Sequence, residues 1–281
     1  MKPIDRLTQQ EADGVRLVLT DIDDTLTTDG YLVPSAFQAL WDLHTAGIAV
    51  IPVTGRPAGW CDLIIREWPV AAVIGENGAF VYYRVHTERS GADGGDPEGG
   101  RIAEFTHPSV AREETRRRLT EVRKAVLSEV AGARVARDQF SRIYDLAIDF
   151  REDPPYLSLT EAQQIKSICE RFGAQAKISS IHVNTWFGNY DKLSMAQLFL
   201  AEQWGMNDEA LLEEVLYCGD SPNDEPMFRF FPLACGVANV GRYLDLLEAR
   251  PAFIAAREGG RGFAEIAGVL LEKRKKSGSR H

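Results

Sequence analysis

Runs of apolar residues, spaced by polar ones, mark out the elements in the first third of the chain. Residues 15–20 (VRLVLT) form a short apolar run of the buried-strand type. Ser35 then stands as an N-cap, Phe37, Leu40 and Trp41 recur at helical spacing, and Gly47 closes the helix. Residues 48–54 (IAVIPVT) read as a second buried strand, and AGWCDLIIREW as a second helix stopped by Pro69. VAAVIGENGAFVYYRV holds a strand, a tight Asn-Gly turn and another strand. The alternation of strand and helix predicts a parallel sheet covered by helices.

The pattern changes in the middle of the chain. Residues 90–100 (SGADGGDPEGG) are polar and glycine-rich, with nothing to pack, and read as a linker. They do not join a strand to a helix, as a phosphate-cradling loop must. A helix is predicted over residues 109–130, with Leu119, Val122, Val126 and Val130 as its apolar stripe. Glu113 with Arg117, and Glu114 with Arg118, stand as i,i+4 pairs on its wet face. RIYDLAIDF is a strand candidate. TEAQQIKSICERFG opens with a T-x-x-Q capping box and closes on Gly173. AKISSIHVNTWF alternates like one half-exposed strand, placing Ser180, His182 and Asn184 on a common face. This stretch predicts a compact α+β module of about a hundred residues.

The last third returns to the first pattern. DKLSMAQLFLAEQWG is a helix, EVLYCGD a buried strand ending in acid, LACGVAN and AFIAA are short strands, and a terminal helix follows. The expected organisation is therefore a discontinuous parallel-sheet domain, residues 1–84 and 188–281, with residues 85–187 inserted into it. The expected fold class is α/β, a Rossmann-like doubly wound core with an α+β insertion.

Composition narrows the picture a little. The 281 residues and 44% hydrophobic content suffice for a large core, and a net charge of −9 argues against a nucleic-acid surface. The four cysteines form no CxxC pair, which argues against zinc. MKPIDRLTQQEADG lacks the apolar stretch of a secretory signal, and no run approaches a membrane span, so a cytoplasmic location is expected. The basic end KRKKSGSRH reads as a frayed terminus.

The chemistry lies at the ends of predicted strands. DIDDT (residues 21–25) follows the first strand, TGR (residues 54–56) the second and GDSPND (residues 219–224) a third, while Lys192 opens a helix. Open parallel sheets bind ligands outside the carboxyl ends of their strands, so all four can converge. Asp21 and Asp23 share a side of an extended chain, and Asp220 adds a carboxylate from another strand. Clustered carboxylates with no His or Cys select Mg²⁺. Thr54 and Lys192 suit a phosphoryl oxyanion. Together these groups point to phosphoryl transfer with a carboxylate nucleophile.

D-x-D-x-T, T-G-R, a helix-opening Lys and G-D-x-x-N-D, in this order, resemble the haloacid dehalogenase superfamily over about two-thirds of the chain. The resemblance implies that Asp21 is the nucleophile and Asp23 the acid/base, whose backbone carbonyl also ligates the metal. It implies that Thr54 and Lys192 hold the phosphate and that Asp220 is a direct metal ligand. Asp224 and Asn223 match positions that hold metal-bound water or orient the lysine. Asp24 sits where many relatives carry Gly, and its side chain is expected to point away from the pocket. The long insert between TGR and Lys192 is similar to the type IIB cap of Cof-like, sucrose-phosphate and mannosyl-3-phosphoglycerate phosphatases and of phosphomannomutase.

Arg56 either contacts substrate or pairs with a core carboxylate, and Asn77 either contacts substrate or fills a left-handed turn position. His182 and Asn184 either read a sugar or face water. The expected activity is a Mg²⁺-dependent phosphohydrolase for a small phosphorylated metabolite, such as a sugar phosphate or phosphorylated glycoside. A phosphomutase and a non-catalytic binder of phosphometabolites are the other readings.

Overall fold

A computed structural model describes residues 1–85 and 101–278; the glycine-rich run at residues 90–100 lies outside them. The chain begins with β1 (Lys2–Pro3), α1 (Gln9–Gly14) and β2 (Leu17–Thr20), then a small hairpin of β3 (Thr27–Thr28) and β4 (Tyr31–Leu32). Next come α2 (Pro34–Thr45), β5 (Ala49–Pro52), α3 (Ala58–Glu67), β6 (Ala72–Gly75), β7 (Phe80–Val85) and β8 (Arg101–Thr106). A second unit holds α4 (Arg112–Glu129), β9 (Arg134–Val135), β10 (Asp145–Asp149), α5 (Leu159–Arg171), β11 (Gln175–Ile178) and β12 (His182–Trp186). The chain returns through α6 (Lys192–Trp204), α7 (Asp208–Glu214), β13 (Val215–Gly219), α8 (Glu225–Phe230), β14 (Leu233–Gly236), β15 (Phe253–Ile254) and α9 (Gly259–Gly278).

The central sheet has six strands in the order β1-β15-β14-β13-β2-β5, and every pairing in it is parallel. A parallel bridge between Val53 and Ile74 continues it towards β6. β6, β7 and β8 then form an antiparallel sheet, so residues 101–106 pair along β7 rather than with the inserted unit. Alternation along the strands divides the core. Val18, Val50 and Cys218 pack in one apolar cluster with residues of α2, α3 and α9. Leu17, Leu19, Ile51 and Tyr217 pack in the other with residues of α6 and α8. Helices on both faces are what a sheet buried on both sides requires.

The inserted unit is an antiparallel sheet in the order β11-β12-β10-β9. Leu146, Ile148 and Val183 face α4 and α5 and meet Leu119, Val122, Val126, Ile165 and Ile168. The opposite face carries Asp145, Asp149, His182, Asn184 and Trp186. Trp186 belongs to a cluster of the central domain, so this polar face looks towards the core.

Several local expectations shift. α2 begins on Pro34 with Val33 at its N-cap, so Ser35 is already helical. The box that opens α5 is Ser158 with Glu161, two residues before the expected one, because Ser158 is the residue still extended there. The single strand read across AKISSIHVNTWF is two antiparallel strands, β11 and β12, joined by a turn. On α4, Arg117 pairs with Glu114 and Glu121, while Arg118 leaves the charged face to lie 3.7 Å from the Phe187 ring centroid. α9 continues to Gly278, so the basic end is helical that far.

Candidate active site

Two strand ends and one helix start build the centre of the site. Asp21 follows β2, and its N–H donates to Cys218 O of the neighbouring β13 at 2.9 Å. Asp220 follows β13 directly, and a short turn (Pro222–Asp224) brings Asp224 back beneath it. Lys192 is the first residue of α6, which Asp191 N-caps by accepting from Ser194 N. All four are buried. Lys192 Nζ donates to Asp21 Oδ1 at 2.6 Å and to Asp224 Oδ1 at 2.7 Å.

The carboxylates differ in what remains free. Asp224 accepts four donors: Lys192 Nζ and Tyr217 OH (2.6 Å) on Oδ1, and the N–H groups of Asp220 (2.9 Å) and Ser221 (3.1 Å) on Oδ2. Its lone pairs are used, so it acts as a bracket for Lys192. Asp220 accepts from Asn239 Nδ2 at 2.8 Å and, weakly, from Thr25 Oγ1 at 3.4 Å. Oxygens of Asp21, Asp220 and Asp224 lie within 4.8 Å of one another. Burial pushes the Asp21 and Asp220 carboxyls up, with repulsion among the acids adding to it, against the pull of Lys192 on Asp21. For Lys192, burial works against its charge, yet Asp21 and Asp224 outweigh it and hold the ammonium above its ordinary value. Three buried carboxylates against one ammonium leave a deficit that a divalent cation on oxygen ligands fits. Asp21 and Asp220 are the residues able to ligate it.

Asp23 faces elsewhere. Its carboxylate lies outside this cluster of three and is held by Arg56, whose Nε approaches at 2.9 and 3.0 Å and Nη2 at 2.8 Å. Arg56 continues to Glu152 of the inserted unit at 2.9 Å, and Glu152 to His182 Nε2 at 3.0 Å. The hydrogen bond from His182, with the charge of Arg56, holds Glu152 down at about 2 despite partial burial. Trp60 backs Arg56, its ring centroid 4.3 Å from the guanidinium carbon. Thr54 sits buried at the next strand end, where its Oγ1 accepts from Arg56 N at 3.0 Å.

A cavity of about 310 Å³ opens beyond these residues, between the central domain and the inserted unit. Asp23, Asp24, Arg56 and Tyr243 line it from one side, and Arg151, Glu152, Tyr156 and Ser180 from the other. Among the residues expected at a substrate, Arg56 lines the cavity while committed to carboxylates. Asn77 does not: it fills a left-handed turn position at φ 57°, and its side chain packs under Gly55. His182 is bound to Glu152, Asn184 donates to Asp145 Oδ2 at 3.1 Å, and Asn223 accepts from Ser221 Oγ at 2.8 Å. Asp24 reverses its expectation. A φ of 57° turns the residue, and it lines the cavity.

Sequence reasoning missed Tyr217, Asn239, Glu152 and Arg242. Tyr217 lies inside an apolar run and gives no polar signal. Glu152 sits in a loop and Arg242 in a short 3-10 helical stretch (Ala238–Leu246), and both line the cavity without a periodic signal. Asn239 lies 19 residues beyond the Asp220 it supports.

Residues 18–90 match a family model of haloacid dehalogenase-like hydrolases. No curated protein matches the chain. A Thermoplasma acidophilum protein shares the fold at 20% identity and a TM-score of 0.64, over 92% of this chain and 98% of its own. The C-terminal domain of the C. albicans trehalose-6-phosphate phosphatase aligns at 14% identity and TM-score 0.66, covering 95% of this chain and 96% of its own. The sucrose-phosphatase of Synechocystis sp., solved with sucrose and phosphate, aligns at 16% and 0.56, covering 91% and 97%. Residues 18–90 are thus similar to haloacid dehalogenase-like hydrolases, and the chain shares its fold with these solved structures.

Proposed function

We propose that the protein hydrolyses phosphate monoesters of a small metabolite, a sugar phosphate being the expected class, with Mg²⁺ as cofactor. The observation that supports this best is the Asp21–Lys192–Asp224 bracket at 2.6 and 2.7 Å, beside the cavity that Asp23 lines. Asp21 attacks phosphorus with one carboxylate oxygen, the bond to the leaving oxygen breaks, and Asp23 supplies the proton that oxygen takes. Water then attacks the aspartyl-phosphate, Asp23 takes its proton, and phosphate leaves. Lys192, fixed by Asp224, meets the negative charge of the phosphoryl group, and Thr54 offers its hydroxyl there. Arg56 sets where the Asp23 carboxylate stands.

Asp21 and Asp220 would hold Mg²⁺ with the Asp23 backbone carbonyl, and Asp224 would act through Lys192. The ion, when bound, neutralises phosphoryl oxygens. The inserted unit, from α4 to β12, serves as a type IIB cap that closes the cavity and excludes water. The trehalose- and sucrose-phosphate phosphatases of the same fold support a sugar phosphate as the substrate class.

The test is phosphate release from a panel of sugar phosphates and p-nitrophenyl phosphate, with and without Mg²⁺. Release should need the metal and vanish in Asp21→Asn. Asp23→Asn should lower kcat by about 10²–10⁴-fold. Full activity in Asp21→Asn would overturn the reading.

A further inference from the structure

Asp24 is set in place with unusual care for a turn residue. Its φ of 57° belongs to the left-handed region that side chains seldom enter. Both of its backbone groups are pinned: the N–H donates to Thr27 Oγ1 at 3.0 Å, and the C=O accepts from Asn239 Nδ2 at 2.9 Å. The direction of its side chain is therefore fixed, into the cavity. Among the described residues its carboxylate forms no ion pair within 4.0 Å.

A second observation comes from the other wall. Ser180, in the turn between β11 and β12, is 3% exposed and lines the same cavity beside Asp24. Its Oγ has no hydrogen-bond partner of ordinary geometry among the described residues. Buried hydroxyls are nearly always satisfied, so an orphan aimed into a cavity points to a partner that arrives with a ligand.

We propose that Asp24 and Ser180 together read the leaving group of the substrate, and that this group is an uncharged polyol whose neighbouring hydroxyls donate to Asp24 and accept from Ser180. This rests on the phosphatase reading above. An apolar leaving group would offer neither side chain a hydrogen bond. A cationic one would meet the guanidiniums of Arg151 and Arg242, which line the same cavity. Adjacent hydroxyls match a carboxylate that forms no ion pair among the described residues and stands beside the Ser180 hydroxyl. One reader comes from each wall, so the pair is complete only when the inserted unit covers the core.

The experiment compares kcat/KM for a panel of pentose and hexose phosphates with kcat/KM for p-nitrophenyl phosphate, in wild type, Asp24→Gly, Asp24→Asn and Ser180→Ala. Glycine suits a φ of 57°, so Asp24→Gly removes the carboxylate without straining the turn. Wild type should prefer at least one polyol phosphate to the aryl ester. Asp24→Gly should cut that preference by about tenfold or more, mainly through KM. Asp24→Asn and Ser180→Ala should cut it in the same direction, the serine variant less. An unchanged ratio in Asp24→Gly, or a wild type that favours the aryl ester over every polyol phosphate, would overturn this assignment alone. A wild type that releases phosphate from nothing would sink the phosphatase reading, and this assignment with it.

Discussion

Asp224 and Glu152 show how a residue's neighbours decide its role. The four donors around Asp224 leave it no lone pair to offer a metal directly, and they lock Lys192 towards Asp21. Asp224→Asn places an amide against these donors and should lower activity by about 10–100-fold. Tyr217→Phe removes one donor of the four and should cost several-fold at most. Steady-state kinetics of the two variants at saturating Mg²⁺ checks the order. Glu152 makes a pH prediction. Its folded value of about 2 lies below the ordinary 4.5, so the unfolded chain binds the proton first. The stability it contributes is present above about 4.5 and is lost as pH falls towards about 2. Wild type and Glu152→Gln should therefore differ in Tm near neutrality and converge in acid.

At the scale of elements, the start of α6 depends on a turn far away in sequence. Gly78 has a φ of 105°, and a Cβ there would stand 2.2 Å from Asp191 O, at the N-cap of the helix that Lys192 opens. Backbone cannot yield as a flexible side-chain tip can. Gly78→Ala should therefore lower Tm and also kcat, because it displaces Lys192 along with the cap. A Tm loss with kcat intact would show that the helix start moves independently of the turn. The helices themselves were largely legible, since apolar stripes at 3.6-residue spacing survive in any packing. Their first residues were less so. Ser35 and Thr160 are good capping types, but which residue remains extended depends on how the preceding segment arrives. The split of one apparent strand into β11 and β12 escaped for a related reason. Alternation continues across SSIHVN, while the turn is closed by Ser179 Oγ and backbone bonds that no periodicity reveals.

At the scale of the molecule, a buried glutamate ties the two units together. The Glu76 carboxylate accepts from Ala58 N of α3 and from Ile143, Tyr144 and Asp145 N of the inserted unit. Arg142 adds a bond to Gly55 O at 2.7 Å. Burial first, then Asp145, pushes Glu76 up to about 7, against Arg142 and the N–H groups. Glu76→Gln turns an amide towards a donor and should destabilise by about 1–3 kcal/mol, read as a fall in Tm. An unchanged Tm would mean that the clasp does not hold the units together. Mg²⁺ should raise Tm as its concentration passes Kd, and Asp220→Asn should abolish the rise. Among the described residues no helix is long and apolar enough to cross a membrane.

The order of apolar runs settled the parallel sheet and its helical cover, because burial on both faces demands continuous hydrophobic strands. The acids and the lysine stood out because charge at the end of a buried strand has few structural uses. Tertiary structure decided which of these charges share space. It placed Asp21, Asp220 and Asp224 within 4.8 Å of one another and gave Asp23 to Arg56. It also turned Asp24 into the cavity. These outcomes depend on φ at single residues and on loops from distant parts of the chain, and neither leaves a periodic trace in sequence.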